Sequence, residues 1–219
     1  MSDLGTKRIA MAGSAANPIT KGHRIFAEYL THCGKFDRVF WLTSGSRRDK
    51  PSLIPAEDRV QMTELAFNKA WRKSQPTEFV VDTREAYRES IPTIRLLEEF
   101  KLEYPDAEIT FATGVDVLVP REEYEGGCEV SHRWVEGESL MKNWTFAVLP
   151  REGYPHPKKL QKEGKIPEHF IIIDRPLSLL GDISSTEIRS RIASGKPFDN
   201  LVDHQVAEYI CAHRLYQRA

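Results

Sequence analysis

The chain has 219 residues, of which 40% are hydrophobic and 29% are charged, and its formal net charge is -1. This length suits one domain with a sizeable core, and the balanced charge excludes the electrostatic footprint of a general nucleic-acid binder. No stretch approaches the roughly 20 apolar residues that span a bilayer, and the N-terminus lacks the apolar core of a signal peptide. We therefore expect a soluble protein that is not exported and binds neither nucleic acid nor membranes.

The cysteine content is typical of a protein from a reducing compartment. Cys33, Cys128 and Cys211 are far apart and lie outside any Cys-x-x-Cys pattern. An odd number of cysteines at these spacings argues against a disulfide framework and against a zinc site. The sequence therefore fits a cytoplasmic protein.

The first predicted elements are a strand, a turn and a helix. Residues 7–12 are short and apolar enough for a buried strand, and residues 24–30 place apolar side chains at helical spacing. The small side chains of residues 13–16 let a ligand phosphate approach the N–H groups that a helix N-terminus leaves unpaired. His23 falls in the first turn of this helix, where it faces whatever those N–H groups hold.

Strands and helices then alternate along the chain. Apolar runs predict further buried strands at residues 37–43, 78–82, 108–113, 144–149 and 170–173. Terminal signals and spacing predict a helix from residue 55, with a core stripe reaching Trp71, and another from Thr93 to about Pro105. Strands that are apolar on both faces and alternate with helices predict an α/β fold with an open parallel sheet covered on both sides.

Two stretches interrupt this alternation. Residues 119–135 contain charges, two consecutive glycines and no periodicity, which predicts a loop or lid, and the Lys-rich residues 150–167 predict a second long loop. In such sheets, ligands bind beyond the carboxyl ends of the strands, where the winding reverses. This rule places the turn after the first strand and Gly114-Val115-Asp116 after the fourth at one crevice.

The last informative stretch is a helix start near residue 184. Ser184 and Glu187 form a capping box, and Gly195 followed by Pro197 ends the helix. The cap does not explain Arg189, which lies one turn into the helix and can reach past its N-terminus toward an anion.

These stretches resemble the nucleotidylyltransferase superfamily. The tetrad Thr20-Lys21-Gly22-His23 is similar to its (H/T)xGH mark, and residues 183–189, ISSTEIR, are similar to its ISSTxIR motif. The sequence of residues 17–20, Asn-Pro-Ile-Thr, resembles that of the nicotinamide/nicotinate mononucleotide adenylyltransferases in particular. Residues 57–62 also resemble a second-helix signature, and Gly114-Val115-Asp116 resembles a GxD motif, so the resemblance runs over nearly the whole chain.

The resemblance implies a fold, a reaction and a cofactor. The fold is a single Rossmann-like domain over residues 1–219, with a C-terminal helical part from about residue 182 to residue 219 that carries the second motif. The reaction is adenylyl transfer from ATP to nicotinate or nicotinamide mononucleotide in NAD biosynthesis. Mg²⁺ would be bound through the ATP phosphates, without a metal site of the protein's own. Because the attacking phosphate is ionised near neutral pH, catalysis needs positioning and charge stabilisation rather than a strong base.

The motif matches also imply roles for individual residues. The expected catalytic residues, which stabilise the phosphates, are His23, Arg189 and Lys50. The expected ATP-binding residues are Gly13, Ser14, Ala15, Thr20, His23, Gly114, Asp116, Ser185, Thr186 and Arg189. The expected pyridine-nucleotide-binding residues are Ala16, Asn17, Thr93, Trp134 and Arg151.

Structural explanations compete with these roles at several positions. Lys50 is equally well explained as part of a solvated basic loop, and Asp116 as the cap of a short helix. A histidine in the first turn of a helix is also compatible with simple solvation, and only the tetrad around His23 argues otherwise. Trp134 lies where no core stripe accounts for it, which favours stacking on a pyridine ring.

The sequence departs from the family pattern at a few positions. Thr20 replaces the commoner histidine of the tetrad, and Ser14 and Ala16 stand where the family usually has Gly and Phe. Ser90 and Gly181 replace a second stacking Trp and an Asn of the eukaryotic-type enzymes. These last two changes affect the pyridine side more than the ATP side.

Two other functions fit parts of the pattern. An adenylyltransferase or cytidylyltransferase with another acceptor, such as phosphopantetheine or a sugar or polyol phosphate, would keep the fold and the nucleotide site. A non-catalytic nucleotide-binding regulator would be expected to have lost His23 or Arg189, and both are present. The preference between the two pyridine nucleotides stays open, as does the oligomeric state, and a homo-oligomer is compatible with the sequence.

Overall fold

The computed structural model describes residues 7–46, 50–174 and 183–217. Within them, six parallel strands form one sheet in the order β3-β2-β1-β4-β5-β6. The strands are β1 (Arg8–Ser14), β2 (Arg38–Thr43), β3 (Glu78–Asp82), β4 (Glu108–Gly114), β5 (Thr145–Leu149) and β6 (Ile171–Ile172). The winding reverses between β1 and β4, which lie side by side in the middle of the sheet. The predicted open parallel sheet is confirmed.

Helices cover both faces of this sheet. They are α1 (Lys21–His32), α2 (Ala56–Ala66), α3 (Lys69–Ser74), α4 (Thr93–Glu103), α5 (Glu129–Arg133), α6 (Gly137–Asn143), α7 (Pro157–Lys162), α8 (Ser185–Ala193) and α9 (His204–Ala212). Ala10 and Ala12 of β1 pack in the core that α1, α2, α8 and α9 share, whereas Ile9 and Met11 pack in the core that includes α4, α6 and α7. Successive residues of a strand point to opposite faces, so both faces of β1 must be apolar.

Three expectations about local structure need correction. The predicted loops at residues 119–135 and 150–167 contain the short helices α5 and α7. Helices of one or two turns are too short for the 3.6-residue period to show in the sequence. The helix expected to run on to Trp71 is two helices, because Asn68 accepts a hydrogen bond from the N–H of Trp71 at 3.0 Å and begins α3. Trp71 is nevertheless a core residue, as its stripe predicts.

The helix predicted from residue 184 is observed. The hydroxyl of Ser184 accepts a hydrogen bond from the N–H of Glu187 at 3.1 Å and caps α8. Residues 47–49, beside Lys50, and Gly181 lie outside the described residues. Within the part of the chain that is described, no helix has the length and apolarity that crossing a bilayer requires.

Met62 tests the packing of α2 on the sheet. Its side chain is completely buried in the core beneath α2, so Met62→Ala should leave a cavity and lower the free energy of unfolding by about 2–5 kcal/mol. The measurement is urea unfolding. Gln61→Ala, on the exposed side of the same helix, is the control and should change the value by less than about 0.5 kcal/mol. Equal effects of the two substitutions would contradict the packing described here.

Candidate active site

A cavity of about 800 Å³ opens at the carboxyl ends of β1 and β4. The turn after β1 forms one part of its wall, and Gly114 and Asp116 after β4 form another. This is the place where the winding of the sheet reverses, as the topology rule predicts. The volume falls in the range of roughly 300–1,000 Å³ that is typical of small-molecule sites.

Most of the predicted site residues meet at this cavity although they are distant in the sequence. The lining includes Gly13, Ser14, Ala15, Thr20, His23, Thr93, Gly114, Asp116, Trp134 and Arg151. The remaining predicted residues lie outside the lining: Ala16, Asn17, Lys50, Ser185, Thr186 and Arg189. Ala16 and Asn17 are buried within the turn itself, and Lys50 is exposed.

Thr20 and His23 form a reciprocal capping box at the start of α1. Thr20, which is 3% exposed, accepts a hydrogen bond through Oγ1 from the N–H of His23 at 3.3 Å. In return, Nδ1 of His23 accepts one from the N–H of Thr20 at 3.0 Å. A ring nitrogen that accepts from a backbone N–H carries no proton, so the proton of a neutral imidazole is on Nε2. His23 therefore offers an Nε2–H donor at the cavity that it lines.

The surroundings of His23 keep its imidazole neutral. The edge of its ring packs against the buried Trp41, with ring centroids 5.8 Å apart and planes at 82°. Burial lowers the pKa of His23 from its ordinary 6.5 to about 4, and the positive charge of Arg151 contributes to the shift. At neutral pH His23 is therefore an uncharged hydrogen-bond donor.

Asp116 and Arg151, which both line the cavity, form an ion pair. Their side chains approach to 2.7 Å between Oδ2 and Nη1. Asp116 does not cap the short 3₁₀ turn at residues 115–117, because no side-chain cap bond is present there. A Cβ atom at Gly114 would come within 2.4 Å of the Asp116 carboxylate. The glycine is therefore needed for the carboxylate to take this position.

Trp134 packs against the core and also borders the cavity. Its ring packs edge-on against Phe111, with centroids 5.7 Å apart, and the residue is only partly buried. Trp134 also lines the cavity, together with Thr93 at the first position of α4. Stacking of Trp134 on a pyridine ring stays a prediction.

The helix α8 docks directly on the turn that follows β1. Arg189 donates from Nη1 to the carbonyl oxygen of Asn17 at 2.7 Å, and from Nη2 to Oγ1 of Thr186 at 3.1 Å. The hydroxyl of Ser185 donates to the carbonyl oxygen of Pro18 at 2.9 Å. The two motifs that the sequence analysis singled out, near opposite ends of the chain, are therefore in contact.

The sequence analysis assigned no role to two buried charged residues beside the cavity. Glu85, 3% exposed, lines the cavity, and its Oε1 accepts hydrogen bonds from the hydroxyl of Ser90 at 2.8 Å and the N–H of Ile91 at 2.9 Å. It thus holds the segment that leads into α4. Arg59 lies beneath the turn after β1. The available signal was its position three residues before Met62, on the buried stripe of α2.

Comparisons with known proteins agree with this geometry. Residues 11–191 match the family model described as cytidylyltransferase-like. The probable nicotinate-nucleotide adenylyltransferases of Caldicellulosiruptor saccharolyticus and Carboxydothermus hydrogenoformans are each 29% identical to this chain over 96% of its length, and the matches cover 99% and 98% of those relatives. The fold is similar to that of Plasmodium falciparum nicotinic acid mononucleotide adenylyltransferase complexed with NaAD, with a TM-score of 0.79, 23% identity and coverage of 96% of this chain and 97% of that chain.

The low pKa of His23 makes a testable contribution to stability. The unfolded chain, with an ordinary pKa near 6.5, takes up a proton before the folded chain does. The stabilisation is therefore fully present above pH 6.5 and is lost as the pH falls from 6.5 to 4. The shift corresponds to about 3 kcal/mol at most. Urea unfolding at pH 7 and pH 4 measures it.

The matched reference for this titration is His23→Gln. Glutamine at the same position can still accept from the N–H of the capping residue but does not titrate. The unaltered protein should lose more stability between the two pH values than the variant does. An identical pH dependence of the two proteins would contradict a partly buried, neutral His23.

Proposed function

This chain belongs to the cytidylyltransferase-like family, and from that premise we propose that it transfers the adenylyl group of ATP to nicotinate or nicotinamide mononucleotide. The products are the dinucleotide and pyrophosphate. The observation that carries the proposal is the contact of α8, through Ser185 and Arg189, with the turn after β1. This contact lies beside the cavity that His23 and Trp134 line. The relatives named as probable nicotinate-nucleotide adenylyltransferases support the choice of acceptor.

His23 would act as a hydrogen-bond donor to the phosphates. In the reaction, the 5′-phosphate of the mononucleotide attacks the α-phosphorus of ATP, and pyrophosphate leaves. A neutral Nε2–H can donate to an oxygen of the α- or β-phosphate from the start, and the charge of the bound triphosphate raises the pKa of the imidazole. The donor thus becomes stronger as negative charge develops on the leaving group.

The remaining phosphate contacts would come from the end of β1 and the turn after it, from α8, and from the loop after β2. The N–H groups at residues 13–15 lie at the end of β1 and the start of the turn, and Ser185 and Thr186 form the first turn of α8, whose N-terminus favours anions. Arg189 would hold the β- and γ-phosphates. The bonds to Asn17 and Thr186 use two of its five N–H donors. Lys50 would approach the same phosphates from the exposed loop after β2.

The pyridine half of the site would lie between Trp134 and Thr93. Trp134 would stack on the pyridine ring, and Thr93 would face its substituent. Asp116 would accept from a ribose hydroxyl, and its ion pair with Arg151 holds the carboxylate in place. Because Arg151 is assigned to the mononucleotide and Asp116 to ATP, this pair lies where the two substrates meet. Ala16 and Asn17 would contribute through the backbone of the turn.

The site fits a magnesium ion that is carried by the substrate. Mg²⁺ is often bound through one or two carboxylates together with substrate phosphates, and within the described residues no cluster of three or more His, Cys, Asp or Glu side chains could hold a metal ion. We propose that Mg²⁺ would bind through the ATP phosphates. When bound, the ion neutralises charge on the leaving pyrophosphate.

We also propose that the whole chain works as one nucleotidylyltransferase domain in the cytoplasm. The contact of α8 with the turn after β1 joins its C-terminal helical part to its first motif. Cys33, Cys128 and Cys211 are all free thiols, which suits a reducing compartment.

The experiment that tests the proposal is a pyrophosphate-release assay with ATP and Mg²⁺. Nicotinate mononucleotide, nicotinamide mononucleotide and phosphopantetheine serve as alternative acceptors, and a reaction without acceptor measures background hydrolysis. We expect release with at least one pyridine mononucleotide. Pyrophosphate release with phosphopantetheine alone would show that the acceptor is not a pyridine mononucleotide. ATP binding without pyrophosphate release would indicate a non-catalytic nucleotide-binding protein.

His23→Ala should lower kcat by about 100-fold or more, because it removes a preorganised donor to the reacting phosphates. His23→Gln retains both an N–H donor and the capping interaction, so it should lose less activity than His23→Ala. Steady-state kinetics with the best acceptor measure both variants. The control is His204→Ala, whose side chain is 83% exposed. Turnover that is unchanged in His23→Ala would remove the role given to this residue.

A further inference from the structure

Arg59 is a buried cation beneath the turn that follows β1. It is 2% exposed. Its guanidinium donates three hydrogen bonds, and among the described residues all of them go to backbone carbonyl oxygens. They are Nε to Ile54 at 3.1 Å, Nη1 to Ala15 at 3.0 Å and Nη1 to Ser44 at 2.5 Å. A buried arginine without a hydrogen-bonded carboxylate is unusual, because burying a charge is costly unless it is well compensated.

The three carbonyl groups belong to three separate segments. Ala15 lies in the turn after β1, Ser44 directly follows β2, and Ile54 precedes α2. Ala15 and Ser44 also line the cavity. Arg59 therefore joins the two loops at the ends of β1 and β2, and it is not itself among the residues that line the cavity. The planar, forked guanidinium can reach all three acceptors, whereas a lysine ammonium is a single point.

These bonds fix the orientation of the peptide groups in the turn. The carbonyl of Ser14 accepts from the N–H of Ser44 at 2.9 Å, and the next carbonyl, that of Ala15, accepts from Arg59. Because a trans peptide is planar, a carbonyl held on one side presents the N–H of the same group on the other. The N–H of Ala15 is thereby directed away from β2, and the N–H of Ala16 donates to the hydroxyl of Ser14 at 3.2 Å.

Arg59 also places positive charge behind the turn. Burial lowers the pKa of Arg59, but an arginine begins from so high a value that it stays protonated at neutral pH. Its guanidinium is hydrogen-bonded to carbonyl dipoles, and it interacts at longer range with the carboxylates of Glu85 and Glu57. A polyphosphate on the cavity side of the turn would feel this charge as well as the N–H groups.

We propose that Arg59 is a positioning residue for phosphate binding: it holds the turn after β1 in the orientation that receives a nucleotide triphosphate, without touching the triphosphate itself. The inference rests on the proposed function for the identity of the ligand. It extends that function by making affinity for phosphate depend on a residue outside the cavity lining.

The test compares Arg59→Lys and Arg59→Met with Met62→Ala. Met62 lies one turn further along α2 and is buried in the core, so its variant reproduces the loss of stability without the loss of the carbonyl bonds. Calorimetry measures the Kd for ATP and for inorganic tripolyphosphate at a temperature where each variant is folded. Both Arg59 variants should raise the two Kd values by about tenfold or more, and Met62→Ala should leave them within about twofold.

Steady-state kinetics and NMR complete the test. The Arg59 variants should raise KM for ATP more than they lower kcat, because they alter the turn that binds the phosphates. In the unaltered protein, the side-chain N–H protons of Arg59 should exchange slowly with water. The chemical shift of the Arg59 side-chain ¹⁵N signal should change when tripolyphosphate binds. This measurement needs no variant, so it tests the inference even if neither variant folds. A signal that does not shift, or Arg59 variants that bind as tightly as the unaltered protein, would overturn this inference alone.

Failure of the proposed function gives a different result. If the unaltered protein binds tripolyphosphate but releases no pyrophosphate with any acceptor, the function is wrong and the Arg59 comparison still applies. If Met62→Ala loses as much affinity as the Arg59 variants, the effect is one of general stability and the positioning role is overturned.

Discussion

The site depends on how the carbonyl groups of the last residue of β1 and of the turn after it are held. Four of them accept hydrogen bonds from other segments: Ser14 from the N–H of Ser44, Ala15 from Arg59, Asn17 from Arg189 and Pro18 from the hydroxyl of Ser185. The donors come from the end of β2, from α2 and from α8, so the turn is fixed only when all three are packed around it. A peptide group held by its oxygen has its N–H fixed as well. The turn can thus be preorganised for an anion before any ligand arrives, which is the condition for electrostatic stabilisation of a reacting phosphate.

Two of the ionisable groups at the cavity have their charge state set by a neighbour. Arg151 is paired with Asp116, and His23 is neutral because burial and the nearby Arg151 lower its pKa. A neutral imidazole avoids the free-energy cost of an unpaired imidazolium in a poorly solvated place. A bound polyanion would favour protonation of His23 and would interact with the charge of Arg59 behind the turn.

The strands and most of the long helices could be predicted from local patterns. The apolar runs that become β1 to β6 are distinctive because a parallel sheet covered on both faces needs apolar side chains in both directions. The short helices α5 and α7 gave no such signal. Each buries mainly one or two residues, such as Val130 and Leu160, and so few anchors do not produce a period. The division between α2 and α3 was also missed, because the apolar stripe continues across the cap formed by Asn68.

The sequence by itself determined the fold class, the place of the crevice and the chemistry of the residues at the two motifs, because these follow from side-chain type and spacing along the chain. Only the tertiary structure decided the roles that depend on contacts between distant segments. It pairs Asp116 with Arg151, anchors Arg189 on Asn17 and buries Arg59 against three carbonyl groups. The capping bond from Thr20 leaves the imidazole proton on Nε2, and burial together with the charge of Arg151 keeps that ring neutral. Such properties depend on directions and distances in space, and a linear pattern of residues does not contain them.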